Sequence, residues 1–211
     1  MPNVKSLTKN SGKISEHFSA NELASHDGIT NLLFDYDLIP IIERLREYVE
    51  TPITINSAYR TKKYNKKVGG ALNSYHLYGR AIDIPLKKRY RNLITIDLMC
   101  NFFNTLGLKG IIKYPNVVHI DTRLNKYHAT NKKVKQNYGK VKIPYRSLLK
   151  TGTKNIDVGI LQFKLKSLGY YNGNADMIYG NKTQNAVKKY QKANDLKVDG
   201  IVGKNTWKKI F

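Results

Sequence analysis

Ser74-Tyr75-His76-Leu77-Tyr78-Gly79-Arg80-Ala81-Ile82-Asp83, followed by Val117-Val118-His119-Ile120-Asp121, is the part of the chain whose reading decides the rest. His76, Asp83 and His119 lie in short apolar or glycine-punctuated runs of a chain that has only five histidines. Two neutral imidazoles and one carboxylate suit a catalytic Zn²⁺, because three protein ligands leave the fourth tetrahedral position for water. Such an ion lowers the pKa of its water to about 7 and polarises a carbonyl, which is what peptide hydrolysis needs. A lone histidine beside a strand is more often a core or surface residue, so spacing alone leaves both readings open.

The residues around these three indicate their local structure. Gly79 argues for a bend between two short segments over one continuous helix. Arg80-Ala81-Ile82-Asp83-Ile84 alternates polar and apolar, as a half-buried strand does. Ile111 to Asp121 is rich in β-branched residues and reads as a second strand, broken or edged by Pro115. With a period of two, Val117, His119 and Asp121 share one face. Asp121 then either orients a ligand imidazole from behind or serves as a base; the plain alternative is a solvated strand-end carboxylate. Ser57-Ala58-Tyr59 reads as a strand running into the basic turn Thr61-Lys62-Lys63. Arg60, between them, carries planar donors suited to a carboxylate or a developing oxyanion, and otherwise is a surface arginine.

Ser57-Ala58-Tyr59-Arg60, Asn65, Val68-Gly69-Gly70-Ala71, the run Ser74 to Asp83 and His119-Ile120-Asp121-x-Arg123 together carry a resemblance. They resemble the zinc D-Ala-D-Ala carboxypeptidases and the related L-Ala-D-Glu endopeptidases of phage endolysins, from about Ile14 to about Arg123. The resemblance implies zinc ligands at His76, Asp83 and His119, and a substrate-binding arginine at Arg60. Cleavage of a stem peptide within the wall is the implied activity, endopeptidase ahead of carboxypeptidase. One departure stands out. Many relatives carry a general base two or three residues before the last ligand, where this chain has Val117 and Asn116. Valine cannot exchange a proton and an amide cannot accept one at ordinary pH. Asp121 takes that role, or a residue from elsewhere does, or the metal-activated water needs little help.

The C-terminal third holds an internal repeat. Asp176-x-x-Tyr179-Gly180-x-x-Thr183 recurs as Asp199-Gly200-x-x-Gly203-x-x-Thr206, offset by 23 residues. Each copy reads as an Asp/Gly turn leading into a helix that starts at the threonine segment. Val158, Leu161, Leu165 and Leu168 line one helix, and Ala186, Val187 and Tyr190 the next. Together with Leu161-Gln162, Leu168-Gly169-Tyr170-Tyr171, Tyr190-Gln191 and Ile201 to Trp207, the segment resembles the small three-helix peptidoglycan-binding domain of wall hydrolases.

Composition sets the frame. The chain has 211 residues, 41% hydrophobic, which is enough for a packed core, and a net charge of +22. That charge is uneven. Residues 1–50 carry five basic and eight acidic groups, residues 51–150 carry 21 and three, and the remainder 11 and four. Such a surface attracts polyanions: nucleic acid, anionic lipid or the anionic polymers of a Gram-positive wall. No nucleic-acid module is recognisable, and nucleic acid is not expected as a partner. Cys100, the single cysteine, excludes an internal disulfide framework and reads as a buried hydrophobe within the helix around Ile96–Phe103.

No charged n-region followed by an apolar h-region opens the chain, and no run approaches the 18 apolar residues of a membrane span. The expectation is a protein made in the host cytoplasm that reaches the wall after release, as a bacteriophage endolysin does. The expected architecture is α+β. A zinc peptidase of residues 1–143, with helices such as Leu38–Tyr48 on a small antiparallel sheet, leads through a linker (144–152) to a three-helix domain (153–211). The chain's expected partner is bacterial peptidoglycan. The alternative is an inert wall-binding protein that keeps the fold.

Overall fold

The structure, a computed structural model, describes residues 2–90, 93–130 and 135–211. Strands β1 (Val4–Thr8) and β2 (Asn31–Asp35) pair antiparallel as a separate ribbon, with the short helix α1 (Ala20–Leu23) between them. Helix α2 (Ile39–Val49) follows, with Pro40 in its first turn, where a missing N–H costs nothing. Helix α3 (Lys62–Lys67) is capped by Thr61, whose side chain accepts from Tyr64 N–H at 3.0 Å. The sequence suggested only a basic turn here. A threonine cap turns that turn into a six-residue helix. Ser57 makes an isolated bridge to Asp83 and belongs to no named strand.

The main sheet contains β3 (Ala81–Pro85), β4 (Gly110–Lys113), β5 (Val117–Asp121) and β6 (Tyr127–Thr130), ordered β3-β5-β4-β6. All pairings are antiparallel except β4 with β6, which run parallel. Helix α4 (Ile96–Leu106) connects β3 to β4 and buries Met99, Cys100, Phe102, Phe103 and Leu106. These residues share one core with Ile82, Ile84, Val118 and Ile120 from the sheet. Burial pushes the Cys100 thiol up to about 12, which keeps it inert. The opposite face of β3 and β5 carries Asp83, His119 and Asp121, and the register sets Asp83 directly across from His119.

Strand β6 falls inside the Lys/Asn-rich stretch Asn125–Lys140, which the sequence suggested was a loop or tail. Part of that stretch, residues 131–134, lies outside the described residues. His128 on β6 is a correction: it is buried, with Nε2 3.2 Å from the Leu108 carbonyl, and is not a surface histidine.

Three helices close the chain: α5 (Ile156–Ser167), α6 (Asn181–Ala193) and α7 (Lys204–Ile210). Val158, Leu161, Leu165, Ala186, Val187 and Tyr190 are buried as their spacing requires, while Leu168 caps the end of α5 and is half exposed. The repeat is organised by two buried glutamines. Gln162 Nε2 donates to Asp176 Oδ1, the Ile178 carbonyl and Thr183 Oγ1, and its Oε1 accepts from Met177 N–H. Gln191 does the same to Asp199, Ile201, Thr206 and Gly200.

These helices pack on the rest of the molecule. The segment 144–152 is itself held, since Leu149 pairs with Val202 and Arg44 Nη2 donates to the Pro144 carbonyl at 3.0 Å. Arg44 faces Asp157, with Nε 3.3 Å from Oδ1, and both are buried. Lys166 meets Asp37 at 2.6 Å, and Trp207 Nε1 donates to the Ile143 carbonyl at 2.8 Å. The apolar core runs on from the sheet region into the helices. Among the described residues no helix is long and apolar enough to cross a membrane.

Candidate metal centre

His76 arrives on a 3₁₀ turn, Tyr75–Tyr78, that Ser74 opens by accepting from His76 N–H and Gly79 closes at φ 65°. Glycine is required at 79 twice over, because a Cβ there would come within 2.2 Å of the Leu33 carbonyl oxygen. Asn65, buried on α3, donates through Nδ2 to the Ala71 carbonyl at 2.9 Å and so braces the loop that leads to this turn. Gly70 leaves room for that amide, since a Cβ would lie 2.1 Å from Asn65 Oδ1.

The structure brings His76, Asp83 and His119 together, all three buried, with their ligand-type atoms within 4.8 Å of one another. His76 Nε2 lies 3.1 Å from His119 Nδ1 and 3.2 Å from Asp83 Oδ1, and His119 Nδ1 lies 2.8 Å from the same oxygen. The partners behind the rings set the tautomers. His76 Nδ1 sits 2.5 Å from the Ala58 carbonyl and must donate to it, which leaves a lone pair on Nε2. His119 Nε2 lies 3.1 Å from Asp121 Oδ2, so its proton points away and Nδ1 carries the inward lone pair.

Three acceptors therefore face one small volume. They repel one another unless a cation, or at least a proton, lies between them. The electrostatics point the same way. Burial opposes charge on His119, yet hydrogen bonds to Asp121 and Asp83 push its pKa up to about 9. Burial likewise works against the charge of Asp83, but the two imidazoles hold its carboxyl far below the usual range. His76 is shifted down, by burial before all else, and stays neutral. Two imidazoles and a carboxylate that draw positive charge into the space between them fit a divalent ion of zinc's preferences.

Arg60 leans over this cluster. Its Nε donates to Ser57 Oγ at 2.7 Å, and its Nη2 pairs with Asp83 Oδ2, the oxygen turned away from the imidazoles. Asp121 stands on the far side of His119 and is fully buried. Arg123 saturates it, with Nε 2.7 Å from Oδ1, Nη2 2.5 Å from Oδ2 and the backbone N–H 3.0 Å from Oδ1. Burial would raise the Asp121 pKa, but His119 and Arg123 hold it down at about 2. Gly110 makes the space, because a Cβ there would come within 2.0 Å of Asp121 Oδ1. Arg123 is itself clasped between the Tyr75 and Tyr127 rings, 4.9 and 4.6 Å from their centroids.

Sequence reasoning missed Ser57 as the partner of Arg60 and the Ala58 carbonyl as the partner of His76. It also missed Arg123 as the clamp on Asp121, although the His-Ile-Asp-x-Arg run already contained that arginine.

Comparison with known proteins shows the family of the chain. The sequence profile of the Peptidase M15 family matches residues 7–121, more than half of the chain, and the chain belongs to that family. A peptidoglycan binding domain profile matches residues 154–210. Over 55 residues the chain is 40% identical to N-acetylmuramoyl-L-alanine amidase CwlM of Mycobacterium tuberculosis, a stretch that is 26% of this chain and only 14% of that protein. Among solved structures, the SleB N-terminal domain is similar at 33% identity, over 30% of this chain and 88% of that one, with a TM-score of 0.30. A peptidoglycan-binding protein from Clostridioides difficile, in complex with glutamine hydroxamate, is similar at 39% identity over 30% and 40% of the two chains, with a TM-score of 0.29.

Proposed function

We propose that this chain is a zinc-dependent peptidoglycan peptidase that cuts within the stem peptide of the bacterial wall, as an endopeptidase of the endolysin type. The observation that carries this reading is the convergence of His76 Nε2, His119 Nδ1 and Asp83 Oδ1, with both imidazoles fixed from behind by the Ala58 carbonyl and Asp121. Peptidase M15 membership and the peptidoglycan binding domain match support a peptidoglycan hydrolase. His76, Asp83 and His119 are the residues that would hold zinc, and the ion would supply an activated water and a polarised carbonyl.

In this reading the chain's own residues bind and orient. Arg60 keeps one oxygen of Asp83 turned toward itself, and its remaining N–H donors would serve the substrate. Asp121 has both oxygens engaged and no exposure, so we assign it to fixing the His119 ring rather than to taking a proton from water. Residues 1–143 would form the peptidase and 153–211 the wall-binding unit, joined through 144–152. Anionic wall polymers are the counterpart we propose for the basic surface of residues 51–150, and release from the producing cell the route to the wall.

Digestion of whole peptidoglycan tests the reading. New peptide amino termini with no free D-alanine are expected. Free D-alanine would make the enzyme a carboxypeptidase, and an unchanged wall would favour the inert alternative.

A further inference from the structure

The peptidase reading just given underlies this inference. Strands β4 and β5 are joined through Pro115-Asn116, and Tyr114 N–H donates to the Val117 carbonyl at 2.9 Å, which makes Tyr114 and Val117 the closing pair of the hairpin. Ile112 stands opposite His119 and Lys113 opposite Val118. Side chains alternate along a strand, so Tyr114 falls on the face of Ile112, His119 and Asp83.

Three facts single out this phenol. Tyr114 is 38% exposed, so it is partly covered by the fold and still accessible. Its hydroxyl has no hydrogen-bond partner among the described residues, whereas the Tyr75 and Tyr127 rings already hold Arg123. It also lies within electrostatic reach of the metal centre. Burial first, then the Asp83 carboxylate, raise its pKa, and only Arg60 pulls it the other way, so the phenol keeps its proton. Opposite it, Val117 has no polar group to offer.

We propose that Tyr114 is a substrate-contacting catalytic residue whose neutral phenol donates a hydrogen bond to the scissile carbonyl oxygen as negative charge develops there. The proton stays on the tyrosine; the phenol stabilises charge and transfers nothing. A preorganised donor of this kind typically contributes about 10²–10³ in kcat when it is the main one, and less when a cation shares the oxygen.

The test is Tyr114→Phe, which keeps the ring and removes the donor. Zinc content, kcat and KM on peptidoglycan fragments, and the affinity for a phosphinate pseudopeptide that mimics the tetrahedral anion would be measured on both proteins. We expect kcat to fall roughly 10- to 100-fold with KM within about threefold, and phosphinate affinity to fall by a similar factor, with zinc unchanged. A kcat within twofold of the parent, or a loss explained by lost zinc, overturns the proposal. A wild-type protein that binds zinc but cleaves no peptidoglycan overturns the peptidase reading itself, and this inference with it.

Discussion

Two groups of buried polar side chains in this molecule differ in how their hydrogen bonds close. In the C-terminal helices, Gln162 and Gln191 each give amide protons and an acceptor to partners in the loops they brace and in the first turns of the helices that follow. In the sheet region, His76, Asp83 and His119 are well satisfied behind, yet point three acceptors at one another in front. The first arrangement is complete and holds a fold. The second is incomplete by design of its own donors and calls for a cation. Burial of polar groups does not by itself mark a functional site; the direction in which bonding capacity is left over does.

The largest expected effect comes from the incomplete cluster. Replacing His76, Asp83 or His119 with Ala should abolish hydrolysis and strip zinc, because two ligands hold the ion poorly. Variants that keep both full metal and activity would break the comparison. The complete cluster should answer to stability instead. Gln191→Leu leaves Asp199, Thr206 and the Ile201 carbonyl without their shared donor, a cost of about 2–4 kcal/mol. Thermal unfolding would show it, while turnover of small soluble fragments should hardly move.

Asp121→Asn probes the link between the two kinds of bonding, since it keeps shape and removes the charge that faces His119 and Arg123. Zinc affinity should drop about 10- to 100-fold, as it does when partners behind a metal ligand are lost. A large fall in kcat with zinc affinity intact would make Asp121 a base after all.

The smallest effect concerns Lys164, buried where α5 meets the rest of the molecule, with its Nζ 2.6 Å from the Thr105 carbonyl. Burial, then the charges of Lys140 and Lys109, bring its pKa down from 10.5 to about 8. The unfolded chain therefore binds this proton more tightly than the folded one between pH 8 and 10.5, and stability should rise with pH across that window. Lys164→Met should abolish the rise and stabilise the protein at pH 7 by about 1–2 kcal/mol. Denaturant titrations at pH 7, 9 and 10 would show whether it does.

Much of this was legible in the chain because local rules apply at the positions that matter. Gly79 marks the bend, alternation marks β3, and Pro115 marks the turn between β4 and β5. The repeated Asp and Thr positions announce the two loops that the glutamines brace. What stayed hidden depends on contacts between distant segments. β6 pairs parallel with β4 across a long connection, and a Lys/Asn-rich stretch gives no period-two signal for it. His128 is buried only because that pairing exists. The three residues proposed to hold the ion, His76, Asp83 and His119, stand out in the sequence, and the fold brings them together, but the tautomers of the two histidines do not show there. For His76 the tautomer rests on the Ala58 carbonyl, which only the fold brings to the ring; for His119 it rests on Asp121, two residues on, whose place behind the ring the strand period already offered as one reading. The packing of α5 through Arg44 and Asp157 likewise joins residues more than a hundred positions apart, and no local pattern reports it.

The central claim is that the three inward acceptors are a zinc site that drives wall hydrolysis. Metal analysis of the purified chain, paired with X-ray absorption at the zinc edge, tests it most directly. The account predicts one zinc per chain, bound by two imidazole nitrogens and a carboxylate oxygen with no sulfur, and its loss together with peptidoglycan cleavage in Asp83→Ala. A wild-type protein that cleaves peptidoglycan after full metal removal, or an Asp83→Ala variant that keeps a full complement of zinc, would contradict it.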